Sequence, residues 1–189
     1  MSSRVTRRQS QAQTRRRLID AARSAFCEHG FHRASADALA ASAGFTRGAL
    51  YANFDGKDGL FLAVLDEEIE SRRKAFIPTE DVRGAASVYR ALLDDDRGWT
   101  LALLEFTTHA ARHPELAEQL RARNRALRAV IVELIRGIQP DLSPDSAEVG
   151  AKLVMAVNTG VALERALDRD AAGEAELARA YVAATTEGA

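Results

Sequence analysis

The sequence predicts an all-α fold in which an N-terminal three-helix, helix-turn-helix head is joined to a helical-bundle body. Apolar residues recur at helical spacing along most of the 189 residues, and no alternating strand pattern of useful length occurs. Helix start and stop signals divide this pattern, among them Ser35, Gly44 and the Ser143-Pro144 pair. The 47% hydrophobic content is ample for one core or two small ones.

The N-terminal third is predicted to hold a basic arm followed by the head. Residues 1–10 show no apolar periodicity and are predicted as a mobile arm, whereas the head takes residues 11–56 and the body residues 57–189. The first helix is expected to begin near Gln11 or Thr14. It should end at Gly30, which follows an inward stripe of apolar residues.

Residues 35–57 have the pattern of two short helices joined by a tight turn. Ser35 and Thr46 each precede an apolar run and can cap its free backbone N–H groups. Gly44 tolerates a positive φ where the first run must stop. Leu50 can then face inward while polar residues share the outer side of the second helix, which therefore suits the major groove of DNA.

The net charge of −1 conceals a strong asymmetry. Residues 1–57 contain ten basic and four acidic side chains, a balance of +6, so that the remainder carries −7. Six arginines precede the first acidic residue. A basic end on an acidic body is expected where that end meets phosphates, although a solvated charged face is the alternative.

A denser pattern runs through the same region. Its positions are Ala21, Ala22, Phe26, Gly30, Phe31, Ser35, Ala40 to Gly44, Thr46, Gly48, Leu50, Tyr51, Phe54 and Lys57. Over roughly residues 14–61 these positions resemble the TetR family of transcriptional regulators. Phe45 and Asn53 depart from the family pattern, which has a small branched residue and frequently a His there. The resemblance implies a homodimeric repressor that binds a palindromic double-stranded DNA operator and releases it when a small-molecule effector binds the body.

Eight residues are predicted to contact DNA. Small residues in the second helix let its backbone approach the duplex, and Arg47 near its N-terminus can reach base edges. Lys57 lies beside a helix N-terminus and Tyr51, which favours a phosphate contact over an ordinary surface role. The predicted set is Ser35, Thr46, Arg47, Gly48, Ala49, Tyr51, Asn53 and Lys57.

The body is predicted to be helical throughout. Helices are expected at residues 57–76, 81–93, 99–114, 115–138, 143–168 and 174–186. Pro114 either closes the third of these helices or begins the fourth. The end of the third resembles an E-F-x-x-x-A-x-R-x-P-E-L segment of TetR-family regulatory halves, and in that family the first of these helices links the head to the body.

The helix at 143–168 is apolar on more than one side. One face is expected to meet the core and another a second subunit, with the last helix completing a four-helix contact across a two-fold axis. A fully buried helix in a monomer is the alternative. The predicted interface residues are Val149, Leu153, Gly160, Leu163, Leu177 and Tyr181.

An apolar stripe in the body is the candidate effector site. Trp99, Leu103 and Phe106 recur at i, i+4 and i+7, a spacing that fits either plain core or the wall of a pocket. The family resemblance favours the pocket, for an effector whose identity the residues do not specify. The predicted effector-binding residues are Tyr89, Leu92, Trp99, Leu103, Phe106, Met155 and Asn158.

A metal site and an enzyme are the competing hypotheses. Glu105, His109 and His113 fall at i, i+4 and i+8 and could line one helix face, but satisfied polar residues explain them better, so no metal or cofactor is predicted. The alternative function is a small helical ligand-binding protein or metal-dependent enzyme with an incidental basic end. Neither a nucleophile elbow nor a phosphate-binding glycine loop supports it.

Targeting signals and cysteines bear on location. Cys27 is the single cysteine, and the sequence has neither an apolar signal core nor a run of about eighteen apolar residues. These observations predict a cytoplasmic protein without disulfides or membrane contact.

Overall fold

The computed structural model describes residues 7–75 and 97–168, and within these ranges the chain forms seven α-helices and no β-strand. The predicted all-α fold is confirmed. None of these seven helices is long and apolar enough to cross a membrane. The helices predicted at 81–93 and 174–186 lie outside the described residues. The seven are α1 (Arg7–Arg33), α2 (Ala36–Ser42), α3 (Arg47–Tyr51), α4 (Gly56–Ala75), α5 (Arg97–Ala110), α6 (Pro114–Ile138) and α7 (Pro144–Leu167).

Local signals set the helix starts as predicted. The hydroxyl of Ser35 accepts a hydrogen bond from the Ala38 amide at 3.2 Å, and that of Thr46 from the Ala49 amide at 3.3 Å. Each cap satisfies a backbone donor that has no partner inside its helix. Gly44, between them, has a φ of 76° and turns the chain from α2 toward α3.

Helix α1 begins earlier than its apolar pattern predicts. Residues 7–10, assigned to a mobile arm, form its first turn, while residues 1–6 lie outside the described residues. The prediction of an arm at residues 7–10 was wrong because it required an apolar stripe, whereas arginine and glutamine extend a helix by propensity alone. Gly30, at φ 78° and ψ 170°, breaks α1 as predicted, and the chain then resumes one helical turn to Arg33.

One hydrophobic core joins the head to the body. Phe26 and Phe31 of α1, Phe61 of α4 and Phe106 of α5 are fully buried in a single cluster. The Phe31 ring meets Phe61 and Phe106 edge-on, with centroids 5.4 and 5.1 Å away. The described helices of the head and α5 therefore share one continuous apolar core.

Helices α1 and α5 cross at unusually short range. A Cβ atom added to Gly98 of α5 would lie 2.1 Å from the carbonyl oxygen of Cys27 in α1. Only glycine allows the two backbones to approach this closely. The crossing fixes where α5 begins relative to the head.

Helix α7 has one buried and one exposed apolar side. Ala151 and Val154 pack with Ile131 of α6 in a second, smaller cluster. Val149 and Leu163 lie on the other side of α7 and are 64% and 47% exposed in the single chain.

Candidate nucleic-acid interface

Helix α3 presents a short, exposed face at one end of the molecule. Leu50 is fully buried and anchors the five-residue helix, and Ala49 is half-buried beside it. Arg47, Gly48 and Tyr51 lie on the exposed side. The geometry therefore matches a helix that can enter a groove with its polar face, although contact with DNA by these residues stays a prediction.

Arg47 is held in place by two neighbours. Its Nη1 donates to the carboxylate of Asp37 in α2 at 3.1 Å, and its guanidinium carbon lies 5.4 Å from the centre of the Tyr51 ring. The hydrogen bond to the Tyr51 hydroxyl, followed by the charge of Asp37, raises the pKa of Arg47 above its ordinary value. Arg47 is thus a fixed cation at the start of α3.

Ser35, Thr46 and Asn53 use part of their hydrogen-bonding capacity inside the head. The two hydroxyl oxygens accept the cap bonds, but each hydroxyl still carries a proton that it can donate to phosphate. The Asn53 amide donates to the Ala49 carbonyl at 2.8 Å. Asn53 lies just beyond the end of α3, is half-buried, and directs its side chain back to α3.

Lys57 has an intramolecular partner that the sequence did not indicate. Its Nζ donates to the carbonyl oxygen of Phe31 at 3.0 Å and lies 4.1 Å from the centre of the Phe31 ring. Burial lowers the pKa of Lys57 below its ordinary value, against the charges of Asp58 and Glu105, which raise it. The predicted phosphate contact remains a prediction, made by an ammonium group with one of its three protons already committed.

Two arginines of α1 bind the segments that flank α3. Arg17 donates to the Ala43 carbonyl at 3.2 Å, and Arg15 donates to the Asn53 carbonyl at 3.1 Å. The basic pattern of the sequence predicts phosphate contacts for the N-terminal arginines as a group and does not indicate these two contacts. Because the paired residues are 26 and 38 positions apart, no local pattern could have revealed them.

Glu105 of α5 fastens the body to the break in α1. Its Oε2 accepts a hydrogen bond from the His32 backbone N–H at 2.8 Å, and its Oε1 would lie 2.7 Å from a Cβ atom at Gly30. The carboxylate thus occupies space that only glycine leaves open. The E-F-x-x-x-A-x-R segment drew attention to Glu105, but its partner could not be read from the sequence.

The residues of the metal hypothesis have other partners. His109 Nε2 lies 3.4 Å from the Asp58 carboxylate, and His113 Nδ1 lies 2.8 Å from the His109 carbonyl. Together with the Glu105 bond to His32, these contacts use all three candidate ligands. Across 7–75 and 97–168, no three His, Cys, Asp or Glu side chains are arranged to hold a metal ion.

The predicted effector residues divide between two clusters. Trp99, Leu103 and Phe106 belong to the core shared with the head, where the Phe61 ring stacks on Trp99 and on Phe106 at centroid distances of 5.0 and 4.2 Å. Met155 packs against the second cluster, between α6 and α7. These residues therefore pack in two clusters, because α5 presents its aromatic rings to α1 and α4, and their common role in effector binding stays a prediction. Asn158 lies on α7 near Met155, and Tyr89 and Leu92 lie outside the described residues.

The predicted dimer residues on α7 share one exposed side. Val149, Leu153, Gly160 and Leu163 follow helical spacing there, and a Cβ atom at Gly160 would meet nothing within 4 Å. Leu177 and Tyr181 lie outside the described residues. The apolar stripe is therefore present in the single chain without an intramolecular cover from the described helices.

An exposed, capped helix held by a basic three-helix head defines the class of helix-turn-helix DNA-binding proteins. Residues 18–64 match the model for bacterial regulatory proteins of the tetR family, and residues 78–187 match that for the C-terminal part of BetI-type transcriptional repressors. The chain belongs to the TetR family of bacterial transcriptional regulators. It is a DNA-binding repressor and not an enzyme.

Individual relatives agree with this assignment. The chain is 27% identical over 161 residues to the HTH-type transcriptional regulator UidR of Escherichia coli K12, covering 81% of this chain and 82% of that protein. It is 30% identical over 127 residues to the HTH-type transcriptional repressor Rv1474c of Mycobacterium tuberculosis, covering 66% of each chain. The structure of Salmonella enterica GusR superimposes with a TM-score of 0.74 over 97% of this chain and 98% of that one, at 24% identity, and so shares its fold.

Proposed function

We propose that this repressor acts in the cytoplasm as a homodimer that places one α3 in each half of a palindromic operator, and that a small molecule binding the body releases it. The observation that carries the proposal is the exposed face of α3, with Arg47 charged and fixed at its start. A two-fold dimer matches a palindrome because each head meets the same half-site.

Within the head, base reading and phosphate holding fall to different residues. Arg47 can give two parallel hydrogen bonds to a guanine edge. Such a contact favours the correct base pair over the others by about 1–3 kcal/mol of binding free energy. Ser35, Thr46, Tyr51 and Lys57 carry donors suited to phosphate oxygens. Gly48 and Ala49 contribute small side chains that keep the backbone close to the duplex, and Asn53 supports the end of α3 through its bond to Ala49.

The exposed stripe of α7 is the proposed two-fold contact. Val149, Leu153 and Leu163 are 64%, 45% and 47% exposed in the single chain, and Gly160 between them leaves room for a second helix. Apolar side chains in such a row gain stability when a matching copy covers them. Leu177 and Tyr181 are proposed to extend this contact.

The effector is proposed to act between α5 and the helices that follow it. Near Met155 on α7, the side-chain amide oxygen Oδ1 of Asn158 is buried, and the described residues offer it no hydrogen-bond partner. A ligand with a donor group and an apolar body suits such a place. The ligand would release DNA only by binding the DNA-free arrangement of the body more tightly than the DNA-bound arrangement.

Binding of Arg47→Ala and Lys57→Ala to an operator library at several salt concentrations tests the head. Arg47→Ala is expected to cost about 1–3 kcal/mol on the preferred operator and to relax the preference at one base pair per half-site. Lys57→Ala should weaken all sequences alike and reduce the salt slope by about one. If Arg47→Ala kept the full sequence preference, base reading would belong to other residues. Failure of the wild-type protein to shift any fragment of its own upstream DNA at low salt would refute operator binding there.

Light scattering of Gly160→Arg tests the dimer. The bulky charge is expected to separate subunits that meet on this face, because an unpaired charge is costly in an apolar interface. Gly137→Arg is the matched control, since Gly137 is also helical and also has open space around its Cβ position. A stable dimeric mass for Gly160→Arg would exclude this face.

A further inference from the structure

Helix α3 depends on its surroundings for its position. It has only five residues, Arg47–Tyr51, and isolated helices shorter than about 12–15 residues are marginal in water. Leu50 is its one fully buried side chain. Groups that hold the segments on either side of α3 therefore control where its exposed face points.

Arg17 holds the segment that precedes α3. Its Nη2 donates to the carbonyl oxygen of Ala43, the C-cap residue of α2, at 3.2 Å. Its guanidinium carbon also lies 4.9 Å from the centre of the Phe45 ring. The last carbonyls of a helix lack partners within the helix and favour a cation, so the contact is both electrostatic and directional.

Arg15 holds the segment that follows α3. Its Nη1 donates to the backbone carbonyl oxygen of Asn53 at 3.1 Å, and its guanidinium carbon lies 4.4 Å from the centre of the Phe54 ring. The two arginines stand two positions apart on α1 and bind the segments on opposite sides of the same short helix. Each combines a hydrogen bond to a carbonyl with stacking on a phenylalanine.

This pair of contacts requires arginine in particular. A guanidinium is planar, so it can stack on a ring and donate in its own plane at the same time, whereas a lysine ammonium keeps the charge but not this geometry. Phe45, which departs from the TetR-family pattern, supplies one of the two rings. Arg16, which lies between the two residues and is exposed, offers a matched comparison of equal charge.

We propose that Arg15 and Arg17 form a clasp that positions α3 for base reading, so that they determine specificity without touching a base. The proposal rests on the proposed function of α3 as the reading helix. It predicts that the geometry of these side chains matters at constant charge, which a role limited to phosphate binding does not predict.

The test compares Arg15→Lys, Arg17→Lys and the double variant with Arg16→Lys, all in the full chain. Hydrogen–deuterium exchange of the free protein reports the order of residues 46–54, with α5 and α6 as the internal reference. Binding to an operator library at several salt concentrations reports sequence preference and salt slope. Each clasp variant is expected to raise exchange in 46–54 about fivefold, because lysine cannot stack on the ring and donate to the carbonyl in one plane. The ratio of specific to non-specific affinity should fall by a similar factor while the salt slope stays unchanged, because the charge is kept.

The outcomes separate the clasp from the proposed function. Unchanged exchange in 46–54, an unchanged specificity ratio in the double variant, or an equal effect of Arg16→Lys would overturn the clasp. Lack of any sequence preference in the wild-type protein would instead refute base reading by α3. Even if the wild type lacked sequence preference, unchanged exchange of 46–54 in the clasp variants would overturn the clasp. Raised exchange would show that the two arginines order α3 without a role in base reading.

Discussion

The crossing of α1 and α5 at Gly98 gives the sharpest test of the packing. In Gly98→Ala, the new Cβ atom would lie 2.1 Å from the Cys27 carbonyl oxygen and 2.8 and 2.9 Å from its carbonyl carbon and Cα. All three are backbone atoms, so no side-chain rotation can relieve the overlap. Carbon atoms in contact prefer about 3.5–4.0 Å, and the helices must therefore separate by roughly 1 Å or bend.

The expected loss of stability follows from two opposing contributions. Overpacking of a tight contact costs about 1–3 kcal/mol, and a rigid backbone obstacle favours the upper end of that range. Replacing a helical glycine with alanine stabilises the helix by about 0.5–1 kcal/mol, which offsets part of this loss. The net loss of about 2 kcal/mol corresponds to a drop in Tm of about 4–8 °C for a chain of this size.

Thermal unfolding followed by circular dichroism measures this loss. Gly137→Ala is the control, because a Cβ atom there meets nothing within 4 Å and alanine should stabilise α6 by up to about 1 kcal/mol. A Gly98→Ala protein as stable as the wild type would refute the close crossing, and with it the idea that the start of α5 is fixed against the head.

Two further predictions concern charges in the head. Asp37→Asn removes the carboxylate that pairs with Arg47 and a negative charge near the DNA face, so we expect tighter binding to non-specific DNA by fluorescence anisotropy; equal affinity at low salt would contradict this. Stability should change little, because the pair is exposed. Lys57→Met tests the lowered pKa of Lys57. The unfolded chain keeps the Lys57 proton up to the ordinary pKa of 10.5, whereas the folded chain loses it at a lower pH. Between the lowered folded-state pKa and 10.5, the stability of the wild type relative to the variant should therefore rise with pH. A constant difference in urea unfolding across this interval would show that burial of Lys57 has no energetic effect.

Features set by neighbouring residues were predictable from the sequence. Ser35 and Thr46 cap α2 and α3 because a cap needs only a side-chain oxygen and an amide three residues on. Gly30 and Gly44 mark breaks because both adopt a positive φ. The buried side of α3 was also predictable, because helical spacing depends only on residues close together in the sequence.

Contacts between distant residues were not predictable in this way. Periodicity shows that α5 has an apolar face but not that this face meets α1 and α4, so the stacking of Phe61 on Trp99 and Phe106 could not be predicted. The basic excess of the head was assigned to DNA. Part of it serves the fold itself, since Arg23 pairs with Glu68 and Lys57 binds the Phe31 carbonyl. Composition alone cannot show whether a given arginine or lysine binds DNA phosphates or stabilises the fold.

The route between body and head involves more than the linking helix α4. Lys57 of α4 binds the Phe31 carbonyl, and Glu105 of α5 binds the next backbone amide, that of His32. Two helices thus bind adjacent backbone atoms at the break in α1, so we expect a shift of α5 relative to α4 to twist this segment. The Phe31 ring, wedged between Phe61 and Phe106, prevents the segment from yielding by itself. If the proposed effector moves α5, we expect α1 to rotate with it and to carry α3 along.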